Sequence, residues 1–216
     1  MAFPSKERTP RVYSGTRSWL TGFPLSTFAV FFSPHFIVCF LTGASAQSHE
    51  ARAVLFYSQG HLSSALTELQ DAVQAEPGKP FYRFMLGNAF YRSGRIEEAA
   101  AEYEASTRLD PARVEAHMCA GFSLYELGRL PAALNHFTQA MRLEPSSAFA
   151  RAGLAVALFS TGDTSNALIQ YAEAVRLENR YGNPAALAID IRWKSQSLQI
   201  LNKLRALTQE TEKGDR

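Results

Sequence analysis

The sequence repeats itself with a period of 34 residues. The body of the chain aligns without gaps into four blocks, 46–79, 80–113, 114–147 and 148–181, and position 15 of every block is glycine (Gly60, Gly94, Gly128, Gly162). Apolar residues recur at helical spacing on both sides of each glycine. A glycine suits the left-handed backbone that ends a helix, so each block predicts a hairpin of two helices. The fold class predicted is all-α, because a lone hairpin cannot cover its own apolar side and must stack on its neighbours.

Other columns of the alignment support this prediction. Small residues at positions 8 and 20 allow two helix backbones to approach closely: Ala53, Gly87, Gly121 and Ala155 at position 8, and Ala65, Ala99, Ala133 and Ala167 at position 20. A large residue at position 24 fills the space between hairpins: Leu69, Tyr103, Phe137 and Tyr171. A proline stops the second helix of the first three blocks: Pro77, Pro111 and Pro145.

This pattern resembles the tetratricopeptide repeat (TPR), whose 34-residue unit is a helix–turn–helix with characteristic small, aromatic and proline positions. The resemblance covers residues 46–181. It implies a right-handed α-α superhelical solenoid of four hairpins, in which the first helix of each pair lines the concave side. The tryptophan that the family prefers at position 4 is missing, and its places are taken by His49, Arg83, His117 and Arg151.

After Asn179 the spacing stops. The segment 182–216 is predicted to cap the last hairpin, since the terminal repeats of such an array need a polar outer face. We expect a single helix over 184–208, starting at Pro184, followed by a frayed tail. Its apolar stripe comprises Leu187, Ile191, Leu198, Leu201 and Leu204.

The N-terminal 46 residues differ from the body. They contain four basic residues and one acidic residue, then the apolar stretch 28–46, which ends in Ala44-Ser45-Ala46. A basic flank, an apolar stretch and a small-residue site predict a secretory signal peptide, cut after Ala46. The mature protein would then be periplasmic or secreted. The alternative is an uncleaved membrane anchor over 19–43 that faces the exported side.

Composition and motifs indicate no nucleic-acid binding, metal binding or catalysis. Without its first 46 residues the chain has 18 basic and 19 acidic residues, so no basic patch points to nucleic acid. Its histidines form no metal-binding pair on one helix face, and a cluster of glutamates at 97–104 suits a solvated surface. No nucleophile or acid–base pair is marked. The sequence therefore predicts no enzyme, no cofactor and no metal site.

The family resemblance implies a binding groove at positions 2, 5, 9, 12 and 13, on the first helices. The candidate residues for a peptide are Phe81, Phe84, Asn88, Tyr91, Arg92, Met118, Phe122, Tyr125, Phe149 and Phe159. Aromatic residues and arginine dominate binding energy at such surfaces. The alternative for the position-12 aromatics (Tyr57, Tyr91, Tyr125, Phe159) is packing between repeats. A subfamily that grips a C-terminal carboxylate would need Lys or Arg where this chain has Phe84, Phe149 and Gly153, and Asn where it has Cys119; only Asn88 agrees.

These features predict an exported adaptor that binds a protein or peptide partner in the groove. The alternatives are a scaffold that associates with itself end to end, with block 46–79 as its exposed end, and a membrane-anchored assembly factor. Membrane contact is expected only if 28–46 stays uncleaved.

Overall fold

The computed structural model describes residues 48–187 and 193–214, with side chains up to 210 in the last segment. Every described residue belongs to one compact unit. The predicted signal peptide, its cleavage site after Ala46 and Ile191 of the predicted stripe lie outside the described residues. Across the described ranges, no helix combines the length and the apolar character needed to cross a bilayer.

The described chain is helical, with no strand in the ranges given above. The helices of the repeats are α1 (48–58), α2 (Leu62–Ala75), α3 (Pro80–Arg92), α4 (Ile96–Leu109), α5 (Val114–Glu126), α6 (Leu130–Leu143), α7 (Ala148–Ser160) and α8 (Thr164–Leu177). From α2 onwards each helix packs against the next. The all-α solenoid of stacked hairpins that the period predicts is therefore confirmed.

The four repeat glycines end the first helices in the same way. Their φ angles are positive, between 71° in Gly128 and 90° in Gly162. At Gly94, the N–H of the next residue, Arg95, donates to the carbonyl oxygen of Phe90 at 3.0 Å, and an equivalent bond follows each of the other three glycines. This is the bond that closes a helix through a left-handed residue. The turn chemistry predicted from the sequence is thus present in all four blocks.

The small residues at position 8 make room for the large residue at position 24. A Cβ added to Gly87 would lie 2.7 Å from the ring of Tyr103, and one added to Gly121 would lie 2.8 Å from the ring of Phe137. Phe137 also fills the space beside Gly153 in the following block, where a Cβ would come within 2.5 Å of it. One ring therefore contacts two hairpins, which is how the aromatic column couples neighbouring repeats.

A polar pair fastens the two helices of each hairpin at positions 4 and 23, where the family tryptophan is absent. The pairs are His49 with Glu68 at 2.6 Å, Arg83 with Glu102 at 3.0 Å, His117 with His136 at 3.1 Å, and Arg151 with Gln170 at 2.9 Å. The position is the same each time, but the chemistry changes from ion pairs to a pair of imidazoles and then to an amide.

The C-terminal segment differs from its prediction. Pro184–Leu187 and the preceding Asn179–Gly182 form 3-10 turns, and the terminal helix α9 spans Ser195–Gly214. The expected single helix over 184–208 is therefore wrong at both ends, and much of the predicted frayed tail is helical. Two residues of the predicted stripe, Leu201 and Leu204, are fully buried, and α9 packs on α8.

Candidate functional site

The residues at positions 2, 5, 9, 12 and 13 of α1, α3, α5 and α7 form what we call the first-helix face. Its position-12 residues in the first three blocks join neighbouring hairpins, because each of them contacts position 13 of the next block. The Arg92 guanidinium lies 4.5 Å from the ring centre of Tyr57, the Tyr91 hydroxyl donates to Glu126, and the Tyr125 hydroxyl lies 3.1 Å from that of Ser160. These contacts support the packing interpretation of the aromatic row.

Two predicted residues of α3 also have structural partners. The Asn88 amide oxygen accepts a hydrogen bond from the Tyr103 hydroxyl at 2.8 Å. Burial raises the pKa of that phenol far above its usual value, so Tyr103 stays a donor. Phe84 is half-buried, with its ring 5.9 Å from that of Tyr103 and the Arg113 guanidinium 5.7 Å away. Asn88 therefore orients Tyr103, while Phe84 keeps part of its ring exposed.

The other end of the face carries an aromatic cluster that holds a residue from outside the repeats. The Trp193 ring lies 5.0 Å from Phe122 and 5.6 Å from Phe149, both at interplanar angles of 78°. Its third neighbour is Tyr181, at 6.2 Å and 69°. Edge-to-face geometry of this kind is the favourable arrangement for aromatic rings. Trp193 is only 4% exposed, so the cluster encloses its indole.

Lys194 extends this contact along the same face. Its ammonium nitrogen lies 3.6 Å from the Glu126 carboxylate and 5.3 Å from the ring centre of Tyr91. The pair therefore reaches from the fourth block (Phe149) back to the second (Tyr91). Two consecutive residues of the chain thus occupy the surface predicted to bind a partner.

The sequence prediction missed Trp193, Lys194 and Glu126. Glu126 holds position 13, a groove position by the same criterion that selected Arg92, so its alignment column could have found it. Trp193 was assigned to a capping helix, and its type alone does not say which surface it meets. The signal available was an aromatic–basic pair after the repeat had ended.

The remaining predicted residues lie on the same helices. Phe81 and Phe159 are half-buried against the core, Met118 is half-buried, and Tyr125 is buried. Arg92 is exposed. The structure therefore brings Tyr91, Phe122 and Phe149 together around one segment, whereas Phe81, Phe84 and Arg92 belong to the other end of the face.

An ionisable cluster on the first hairpin already contains a guanidinium. His49, Glu68 and Asp71 are the one group in the described part of the chain with the ligand spacing of a metal site. However, Arg52 donates to Glu68 at 2.8 Å, and this bond lowers the pKa of the Glu68 carboxyl below its usual value. The guanidinium thus already supplies the positive charge that a metal ion would bring.

The two histidines of the third block, His117 and His136, are joined by a hydrogen bond between their imidazole rings. His117 Nε2 lies 3.1 Å from the Pro111 carbonyl oxygen, which can only accept, so this nitrogen carries the proton. The Nδ1 atoms of His117 and His136 lie 3.1 Å apart, so one of them donates a hydrogen bond to the other. Burial, together with the neighbouring His117, lowers the pKa of His136 to about 4. This hairpin therefore favours the neutral form of the His136 imidazole.

Family models match the central part of the chain. One described as TPR repeat covers residues 87–128, and one described as tetratricopeptide repeat covers 120–182. These ranges include the complete α4–α5, α6 and α7–α8 packing described above. Residues 87–182 of this chain match the tetratricopeptide repeat. The resemblance inferred from the 34-residue period is thereby confirmed for residues 87–182.

Solved TPR structures share the fold. MamA from Desulfovibrio magneticus RS-1 is 18% identical with a TM-score of 0.61, and the match covers 77% of this chain and 96% of that one. YrrB, described as a TPR protein with an unusual peptide-binding site, is 20% identical with a TM-score of 0.57 and coverages of 70% and 80%. The first TPR of Spaghetti (RPAP3), bound to the HSP90 peptide SRMEEVD, is 18% identical with a TM-score of 0.53 and coverages of 55% and 94%. No curated protein matches the sequence.

Proposed function

We propose that this TPR protein is an adaptor that binds a polypeptide partner across its first-helix face. The observation that carries the proposal is the seating of Trp193 and Lys194 on that face. It shows aromatic and acidic side chains of three consecutive blocks converging on two residues of polypeptide. The face therefore has the shape and chemistry to hold a chain segment.

Two of the similar folds support the same use of the surface. YrrB is described by its peptide-binding site, and the Spaghetti domain was solved with a bound peptide. The peptide in the second case ends in Glu-Glu-Val-Asp, whereas this chain has Phe84, Phe149 and Gly153 where a carboxylate-gripping site needs basic residues. The partner proposed here is therefore not an acidic C-terminal tail.

A photo-crosslinking amino acid placed in the full-length protein tests this function. With the crosslinker at Phe81, on the first-helix face, we expect ultraviolet light in living cells to produce an adduct with a partner. Digestion of that adduct by proteases would identify the partner as a polypeptide. The matched control is Ile169 on α8, a second helix, where the side chain is 57% exposed. Adducts at Ile169 alone, or none at Phe81 in a folded protein, would contradict the proposal.

Export is a second part of the proposal. It is supported by the basic flank, the apolar stretch 28–46 and the Ala44-Ser45-Ala46 site, and it makes the adaptor periplasmic or secreted. N-terminal sequencing of the native protein should start at Gln47. An intact 28–46 segment in the membrane fraction would instead identify a membrane-anchored assembly factor.

The second candidate function is self-association through the first block. Val54 and Leu55 on α1 are 45% and 53% exposed, which are large values for aliphatic side chains. Light scattering over a concentration series should then show a mass that rises with concentration and that Leu55→Glu reduces. A constant monomer mass would remove this candidate and leave the adaptor proposal standing.

A further inference from the structure

Trp193 and Lys194 do more than a terminal cap requires. The apolar side of the last hairpin is covered by α9, whose Leu201 and Leu204 are fully buried and which packs on α8. Trp193 instead contacts Phe122 of α5, and Lys194 reaches Tyr91 of α3. A cap could be complete without these contacts. These contacts lie on the first-helix face, so capping alone does not explain them.

The side chains around Trp193 and Lys194 favour an aromatic residue followed by a cationic one. The indole of Trp193 is enclosed by the rings of Phe122, Phe149 and Tyr181, a pocket that fits a flat aromatic side chain. The next residue, Lys194, lies beside the Glu126 carboxylate and over the ring of Tyr91. Glu126 is 17% exposed at its side chain and accepts from the Tyr91 hydroxyl, so its carboxylate is held in place to face a cation.

We infer that Trp193 and Lys194 act as an intramolecular ligand, and that the partner presents an aromatic residue followed by Lys or Arg to the same pocket. This inference rests on the proposed function, since it names the chemistry that the first-helix face would recognise. The partner's aromatic side chain would take the place of the Trp193 indole. Its cation would replace the Lys194 ammonium beside Glu126 and over the ring of Tyr91.

Tethering gives the internal segment an advantage over a free partner. A segment joined to its site by a short linker has an effective concentration of about 1 mM. A competing partner binds only the fraction of molecules in which the site is vacant, and its apparent affinity falls by that fraction. The wild-type protein is therefore expected to bind a free peptide of this kind weakly, and a variant without the internal ligand to bind it more tightly.

The test uses the full-length protein and a fluorescein-labelled peptide with the sequence of residues 190–197, DIRWKSQS. By fluorescence anisotropy, Trp193→Ala/Lys194→Ala should bind this peptide at least tenfold more tightly than the wild type. A peptide with alanine in place of tryptophan should lose binding. One with glutamate in place of lysine should bind several-fold more weakly, and this difference should shrink in high salt.

Lys194→Glu provides a second variant, because its side chain is 45% exposed and the substitution leaves the indole pocket intact. Repulsion by Glu126 should free the segment and raise peptide affinity in a protein of unchanged helicity. If neither folded variant binds the peptide better than the wild type, or if both bind the tryptophan-free peptide equally well, the inference is overturned. Adducts at Phe81 with such a result would leave the proposed function standing, whereas failure of that function would appear as no adduct at Phe81.

Discussion

The two ends of the first-helix face are built from the same block positions but have different neighbours. At position 9, Val54 in the first block is 45% exposed, whereas Phe122 in the third block is 1% exposed. The C-terminal half, on α5 and α7, packs against Trp193, and the N-terminal half, on α1 and α3, carries the exposed Arg92 over Tyr57. Identical repeat geometry therefore does not give each repeat the same surroundings, because Trp193 packs on the C-terminal half whereas only Lys194 reaches the N-terminal half, at Tyr91.

The largest effect is expected at Phe137, whose ring couples the two repeats of the C-terminal half. Phe137→Ala should lower the free energy of unfolding by about 3–5 kcal/mol, because Phe137 is 1% exposed and fills the space beside both Gly121 and Gly153. Phe84→Ala in the N-terminal half should cost only about 1 kcal/mol, since that ring is half-buried. Urea unfolding measures both. Equal losses would mean that the halves are packed alike.

Acid should destabilise the histidine-paired hairpin of the third block. The pKa of His136 is about 4 in the folded protein against an ordinary value of 6.5, so between these values the unfolded chain binds a proton that the folded chain does not. Stability therefore falls as the pH drops through this window, by about 2 kcal/mol between pH 6.5 and 5. Glu104 and His117 also face the His136 imidazole, and neither residue is mutated in the test.

His136→Gln is the matched variant for this measurement, because block four uses glutamine at the same position, as Gln170. Its stability should change less between pH 7 and 5 than that of the wild type. Parallel pH profiles for the two proteins would show that His136 does not cause the acid sensitivity.

The turns should not distinguish the two halves. Gly94 and Gly128 have φ angles of 76° and 71°, and a Cβ at either position meets no atom within 4 Å. Valine at each should therefore cost only the backbone strain of a left-handed residue, about 1–2 kcal/mol. Thermal unfolding should give similar losses for the two variants. A much larger loss of stability at one turn would mean that the hairpins of the two halves differ in their own stability.

The smallest effect concerns the ion pair in the C-terminal half. Glu126→Gln keeps an acceptor for the Tyr91 hydroxyl but removes the attraction for Lys194, so it should cost less than about 1 kcal/mol. The loss should disappear in high salt. Arg92→Gln, in the N-terminal half, is the control that leaves Lys194 untouched. A loss independent of salt would mean that Glu126 acts through packing rather than charge.

The repeated part of this protein was predictable residue by residue. The positive φ of Gly60, Gly94, Gly128 and Gly162, the contact of Gly121 with Phe137 and the burial of Leu69 all follow from columns of one alignment. The candidate site was predictable only in part. Tyr91, Phe122 and Phe149 were found by block position, but their use depends on a residue with no position in the repeat.

The sequence by itself determined the hairpins, because helix periodicity, a turn glycine and a small-for-large match act between near neighbours or adjacent blocks. Only the tertiary structure decided what lies on the first-helix face. After Asn179 no period constrains the path of the chain, so the meeting of Trp193 with Phe122 depends on how the segment folds back over the stack. The 3-10 turns that replace the first part of the expected capping helix come from the same cause, since tertiary contacts there override local helix signals.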